Sequence, residues 1–185
     1  MMASFDPKTT LLVMALAEES GDFFENAGHQ PLYTGIGQVK AATALTKAIF
    51  ERKPATIINL GTAGSFHLVQ GQCVECSGFI QRRENEKGPF SKKIQSPSYL
   101  TSLPRVVCGT ADFIQTEKQP EMLFEIMDME GYALAYAAQQ FQIPFFSIKY
   151  ISDNSNGNII HDWKKNLISS REKLLQIYLE LIIQK

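Results

Sequence analysis

The chain has 185 residues, 44% of them hydrophobic, and a formal charge of −1 at pH 7. That is enough apolar material for one globular domain over 1–185 with a full core, and it excludes a disordered chain. It also excludes the usual footprint of a nucleic-acid or membrane partner, since the densest charged cluster, "QRRENEKGPFSKK", mixes both signs and reads as a solvated loop.

In chain order, "MMASFDPKTT" lacks a cationic signal-peptide start, and residues 1–9 are expected to be flexible. The first strand, "TLLVMALA", is too short to span a bilayer and runs into Glu18 and Glu19. A cytoplasmic protein is the expectation. "YTGIGQVKAAT" places Gly35 and Gly37 between a strand and the helix "VKAATALTKAIFERK". A dinucleotide fingerprint is incomplete there: Lys40 holds the third glycine position, and no acid closes the following strand "TIINL". No triphosphate loop is present either, so no cofactor is expected and the glycines read as a tight turn with close packing.

After "IINL" comes "GTAGS". "CVECSGFI" alternates like a strand, and Cys73 and Cys76 read as ordinary strand cysteines, with no second pair or nearby histidine for a zinc site. Three cysteines in all suit reduced thiols better than a disulfide framework. Gln81 to Leu103, with Pro89 and Pro97, reads as a long variable loop. Then follow the strand "RVVCG", the segment "TADFIQ", a helix opened by "MDMEG", and the strand "PFFSIKYIS". That strand carries Lys149 and breaks off at Ser152 and Asp153. A final helix from about Asp162 to Ile183 carries Trp163, Leu167, Leu174, Ile177, Tyr178, Leu181 and Ile182 as an apolar stripe, for core or subunit contact.

Strands and helices alternate, so the fold class is α/β, with "TIINL" and "PFFSIKYI" apolar enough to be central strands. Ligands of open α/β sheets sit beyond the carboxyl ends of the strands. The candidates there are Glu18 and Glu19, "GTAGS", "TADFIQ", and Ser152-Asp153-Asn154. Each has a plainer reading by itself: Gly61 and Gly64 as turn residues, Glu19 as a first-turn helix acid, Asp153 as a turn cap. His29, His67 and His161 lie in polar surroundings, no G-x-S-x-G is present, and no metal-ligand cluster is spaced for binding. Carboxylates near strand ends, plus Lys149, are what remains for chemistry.

The segments "MALAEES", "TGIGQVKAATAL", "IINLGTAGS", "TADFIQ" and "DMEGYALAYAAQQFQIPFFSIKYISDNSN" occur in an order and spacing that resembles the nucleoside phosphorylase and hydrolase superfamily. Within it they are most similar to the methylthioadenosine/S-adenosylhomocysteine nucleosidases. The Met-Glu pair opening a small-residue helix, followed by a strand ending in Ser-Asp, is the specific part. The resemblance weakens over Gln81–Leu103. It implies a three-layer α/β/α fold around a central mixed, mostly parallel sheet.

It also implies a role for each residue. Asp153 is the general acid toward the purine N7, in a dry setting that keeps its proton available, with Ser152 orienting it. Glu130 accepts hydrogen bonds from the ribose hydroxyls, made tolerable by a helix N-terminus, while Met129 packs under the sugar and Asp128 caps the helix. Glu19 activates the attacking water, with Glu18 as fallback, and Lys149 stands where many nucleosidases have arginine and offsets the charge of Glu19. Thr62 lies near water and ribose, Phe113 stacks on the base, and the backbone of Ile114 reads its edge. Leu16 and Trp163 border the 5′ substituent, or Trp163 is core. The implied activity is hydrolysis of a purine nucleoside, with a 5′-modified adenosine as substrate, by a homodimer. A phosphorylase on the same fold and a nucleoside-binding module without turnover are the alternatives. The arginines that relatives use for phosphate are missing from "MALAEESGDFFENAG" and before "LGTAG", which leaves Arg82 and Arg83 to fold in from the loop.

Overall fold

The computed structural model describes residues 5–82, 92–97, 101–118, 122–156 and 158–183. Strand β1 (Thr10–Met14) pairs in parallel with β2 (Leu32–Tyr33) and β3 (Thr56–Gly64), and β3 pairs in parallel with β8 (Phe145–Asp153). Antiparallel to β8 runs β4 (Cys73–Gln81), which is joined in parallel to β6 (Arg105–Thr110) and antiparallel to the short β5 (Ile94–Gln95). Strand β7 (Ile126–Asp128) then pairs with β6 and meets β3 tip to tip, Gly64 against Met127.

The sheet is therefore mixed and mostly parallel, as expected, but it is not open. Strands β3, β8, β4, β6 and β7 close into a ring. Register shifts at Ala63/Gly64 and at Cys76/Gly78 accompany the closure. Bulges of this kind bend a strand and raise its twist, and a strongly twisted sheet curls onto itself. Apolar patterning identifies strands and carries no information on such pairing.

Helices α1 (Ala17–Ser20) and α2 (Phe23–Asn26) follow β1, and α3 (Gln38–Arg52) leads into β3. Helix α4 (Gly131–Gln140) lies between β7 and β8, and α5 (Ile159–Ile183) ends the described chain. Alternate strand residues feed two apolar clusters. Leu11, Val13 and Ile57 pack with Ala41, Leu45 and Ile49 of α3 and Leu134 of α4. Leu12, Met14, Ile58, Phe146, Ile148 and Tyr150 pack with Phe24 and with Leu174, Tyr178 and Leu181 of α5. The α5 stripe from Leu174 to Ile182 is thus core within its own chain, at about 2 kcal/mol for each fully buried large side chain. All nine residues of β8 are buried, as a central strand requires.

Several boundaries move. "MDMEG" does not open a helix: Ile126–Asp128 is strand β7 and the helix begins at Gly131. Strand β3 runs on through "GTAG" rather than stopping before it. The expected loop 81–103 holds the end of β4 and the strand β5, while 83–91 and 98–100 lie outside the described residues, as do 1–4. Phe5 packs edge-on against Phe146. Cys73 and Cys76 both lie in β4, buried and unpaired, and Cys108 is likewise free. No helix among the described residues is long and apolar enough to cross a membrane.

Candidate active site

A cavity of about 620 Å³ opens where the carboxyl ends of β1, β3, β6, β7 and β8 converge. Its walls include Leu16, Glu19, Thr62, Phe113, Ile114, Met129, Glu130, Ser152, Asp153 and Trp163. Eight of the nine site residues expected from the sequence, all but Lys149, line this one space, although they come from segments far apart in the chain.

Glu19 enters from α1, only 5% exposed. Its Oε1 accepts from Thr62 N and from Thr62 Oγ1, each at 2.8 Å, and its Oε2 accepts from Ala15 N at 3.2 Å and Leu16 N at 3.4 Å. Trp163 Nε1 donates to Thr62 Oγ1 at 3.0 Å, so Trp163 both lines the cavity and anchors Thr62. A Cβ on Gly61 would stand 3.2 Å from Glu19 Oε1, so a glycine there admits the carboxylate. Glu18 is exposed at the rim, and its carbonyl is held by Arg171.

Asp153, the last residue of β8, is 4% exposed. Ser152 Oγ donates to its Oδ2 at 2.8 Å, which is the orienting contact expected. Ser155, which the sequence did not single out, adds N–H and Oγ donors to Oδ1 at 3.0 and 3.4 Å. Gly64 packs against this group so closely that a Cβ would lie 2.7 Å from both Asp153 Oδ1 and Ser155 Oγ. The second glycine of "GTAGS" was the available signal.

Glu130 occupies the N-cap position of α4 without capping it. Its Oε1 instead accepts Gly37 N at 2.8 Å, at the start of α3. The helix N-terminus that this carboxylate bonds is therefore that of α3. The Gly35 to Gly37 turn, with φ of +78° and +99°, presents the amide; Asp112 Oδ1 accepts the next one, Gln38 N, at 2.7 Å. Burial, reinforced by the charge of Asp128 and partly offset by Lys149 and the Gly37 amide, pushes the pKa of Glu130 up to about 7.

Lys149 departs from expectation. It does not line the cavity and it pairs with Asp128 rather than with Glu19: Nζ lies 2.9 Å from Asp128 Oδ2, with side chains 3% and 1% exposed. Burial works against its charge, yet the facing Asp128 raises its pKa above the ordinary lysine value, aided by the neighbouring Cys108 and Glu130. Burial alone would push Asp128 up, but the Lys149 charge and a hydrogen bond from Thr110 hold it below its usual value. Asp128 does also cap α4, accepting Gly131 N at 2.9 Å, while Thr110 Oγ1 accepts Tyr132 N at 2.8 Å and donates to Asp128 Oδ1 at 2.6 Å.

Phe113 is half-buried and Ile114 is 54% exposed, in an irregular segment after β6. Arg82, 8% exposed, also reaches the cavity wall, as the sequence allowed. Its Nε donates to Gly109 O and its Nη1 to Gln115 Oε1, both at 2.9 Å, so its donors are directed at protein acceptors. At the mouth, Ile36 and Ile160 expose 46% and 63% of their surface beside Leu16 and Trp163.

The sequence model of the phosphorylase superfamily matches residues 100–183. A 5′-methylthioadenosine/S-adenosylhomocysteine nucleosidase of Shewanella sediminis is 27% identical over 168 residues, covering 74% of this chain and 73% of the relative. Among solved structures, a Helicobacter pylori 5′-methylthioadenosine/S-adenosylhomocysteine nucleosidase in complex with a substituted pyrrolidin-3-ol superposes with a TM-score of 0.82 at 16% identity, covering 95% of this chain and 98% of its own. Futalosine hydrolase of the same organism gives a TM-score of 0.83 at 18% identity, covering 95% and 97%. In sequence this chain resembles the phosphorylase superfamily and its methylthioadenosine/S-adenosylhomocysteine nucleosidases, and its fold is the one shared by solved nucleosidase and futalosine hydrolase structures.

Proposed function

We propose that this chain hydrolyses the N-glycosidic bond of a purine nucleoside, a 5′-substituted adenosine such as methylthioadenosine or S-adenosylhomocysteine. One observation carries the reading: Glu19, Glu130 and Asp153, from three separated segments, open on a single cavity whose remaining walls are largely apolar. Cleavage of such a bond develops positive charge on the ribose and negative charge on the base, and these carboxylates suit both ends.

Asp153, oriented by Ser152 and Ser155, gives its proton to N7 as the bond between the sugar C1′ and the base breaks and the base leaves with the electron pair. Glu130 accepts from the ribose hydroxyls through the oxygen not used by Gly37. Glu19 orients a water on the oxocarbenium face and takes its proton, so that free base and free sugar are the products. Its four hydrogen bonds fill the lone-pair sites of a carboxylate, so holding water means loosening one. The Leu16 amide, at 3.4 Å, is the weakest of them. Met129 packs under the sugar, Phe113 stacks on the base, and the Ile114 backbone reads its edge. Leu16, Trp163, Ile36 and Ile160 give an apolar mouth for a thioether substituent. Lys149 acts from behind, through Asp128, and not on the water.

Water rather than phosphate is the nucleophile. Glu19 puts negative charge where the anion would sit, and Arg82, the arginine at the cavity wall, is engaged with Gly109 and Gln115. The nucleoside phosphorylase reading predicts the opposite product. Methylthioadenosine incubated with and without phosphate decides: adenine and free methylthioribose at a phosphate-independent rate support the hydrolase, whereas a ribose 1-phosphate product overturns it.

We further read the chain as one cytoplasmic domain that pairs as a homodimer. Since α5 is spent on its own sheet, the exposed Val39 and Phe50 of α3 with Tyr136 of α4 supply the apolar surface for pairing. Light scattering that returns the monomer mass of 20.7 kDa removes this part.

A further inference from the structure

We propose that Arg82 is the positioning residue of the base subsite, holding the segment from Phe113 to Gln115 in the shape that grips the purine. The inference rests on the reading of the cavity as a purine nucleoside site. The segment belongs to no helix or strand, so its shape depends on side chains that tie it to the sheet. The guanidinium does this in three directions. It donates through Nε to Gly109 O of β6 at 2.9 Å, through Nη1 to Gln115 Oε1 at 2.9 Å, and through Nη2 to Asp128 O of β7 at 3.5 Å. Gln115 is itself turned by a bond from its Nε2 to Glu117 O at 2.8 Å.

The guanidinium also meets two aromatic rings. Its carbon lies 5.2 Å from the centroid of Phe113 and 5.5 Å from that of Phe124, within cation–π range of both rings. The ring assigned to the base is therefore held by a cation that is in turn held by the sheet. The backbone is shaped to admit it: a Cβ on Gly109 would lie 2.7 Å from Arg82 Cδ and 2.6 Å from the Phe124 ring. Planarity, two stacking faces and forked donors are properties of arginine that lysine lacks.

The test uses Arg82→Met and Arg82→Lys in the full chain, checked for wild-type circular dichroism. Inhibition constants are measured for adenine, which carries only the base, and for 5-methylthioribose, which carries only the sugar. Loss of charge-assisted bonds and of a ring contact raises the adenine constant by about tenfold in both variants, lysine giving little rescue. The methylthioribose constant stays at its wild-type value. Because a buried arginine can be needed for folding, Gln115→Leu provides a second route: it releases the segment while leaving the cation bonded to Gly109 and Asp128, and it too weakens adenine selectively. Unchanged adenine inhibition in a folded variant overturns the proposal, as does parallel weakening of both inhibitors. A wild-type chain that neither cleaves methylthioadenosine nor binds adenine overturns the functional reading itself, which separates the two failures.

Discussion

Lys149 Nζ lies 2.9 Å from Asp128 Oδ2 with almost no surface left to either side chain, and Asp128 in turn caps the helix that follows Glu130. A buried pair of this kind is costly to break on one side only, because the surviving charge has no solvent to turn to. Lys149→Met is expected to destabilise the fold by about 3–5 kcal/mol. The double variant Asp128→Asn with Lys149→Met recovers most of that loss. Urea denaturation of the two singles and the double gives the coupling, and a double variant as unstable as the sum of the singles removes the pair from the account.

Glu130 makes stability depend on pH. Its folded-state pKa of about 7 stands above the ordinary 4.5, so between these values the folded protein holds a proton the unfolded chain has released. Stability from this group therefore falls as pH rises from about 4.5 through about 7, by about 3 kcal/mol in all, and is level above that. Glu130→Gln lacks this slope. Relative to wild type it gains stability at pH 8 compared with pH 5, while losing preference for ribose over 2′-deoxyribose substrates. Denaturation curves at the two pH values check the first part, and equal pH slopes in both proteins would falsify the assignment.

Asp153→Asn keeps the shape of the side chain and removes the transferable proton. General acid catalysis is worth about 10² to 10⁴ in rate, so turnover falls by that range while adenine still binds. Steady-state kinetics with methylthioadenosine, alongside adenine titration, measure both. Near wild-type turnover would remove Asp153 as the acid.

Gly64→Ala addresses the same acid from behind. The added methyl would meet Asp153 Oδ1 and Ser155 Oγ at 2.7 Å, closer than unstrained contacts allow, so the carboxylate must shift. Since a displacement of about 1 Å can cost on the order of 10²-fold in rate, kcat falls steeply while the far-ultraviolet spectrum stays native. A fully active alanine variant would mean that the carboxylate has room to move.

The strands β1, β3, β4, β6 and β8, the helical register of α5 and the carboxylates after β1 and at the end of β8 were legible in the sequence, because periodicity and turn chemistry are local properties of the chain. Apolar alternation in β1 sends Leu11 and Leu12 to different clusters whatever lies beyond, and "SDNSN" ends a strand by its own turn preference. The motif set also sufficed to name eight residues that share the cavity.

What the sequence could not settle were relationships across the chain. Closure of the sheet goes with register shifts at Ala63/Gly64 and Cys76/Gly78 and with β7, at three residues too short to carry a periodic signal. Lys149 was read as offsetting Glu19 from the resemblance, standing where many nucleosidases have arginine, yet Asp128 captured it inside the ring, as a buried carboxylate in need of a counter-charge. Ser155 was invisible as a site residue for the same reason, and Arg82 was readable only as a possible phosphate ligand from the loop, because a serine in a turn and an arginine at the edge of a loop have ordinary surface readings. Only the folded chain sets one against Asp153 and drives the other between two phenylalanine rings. Local pattern decides which residues face inward, and which inward residues meet is decided by the pairing of strands distant in sequence.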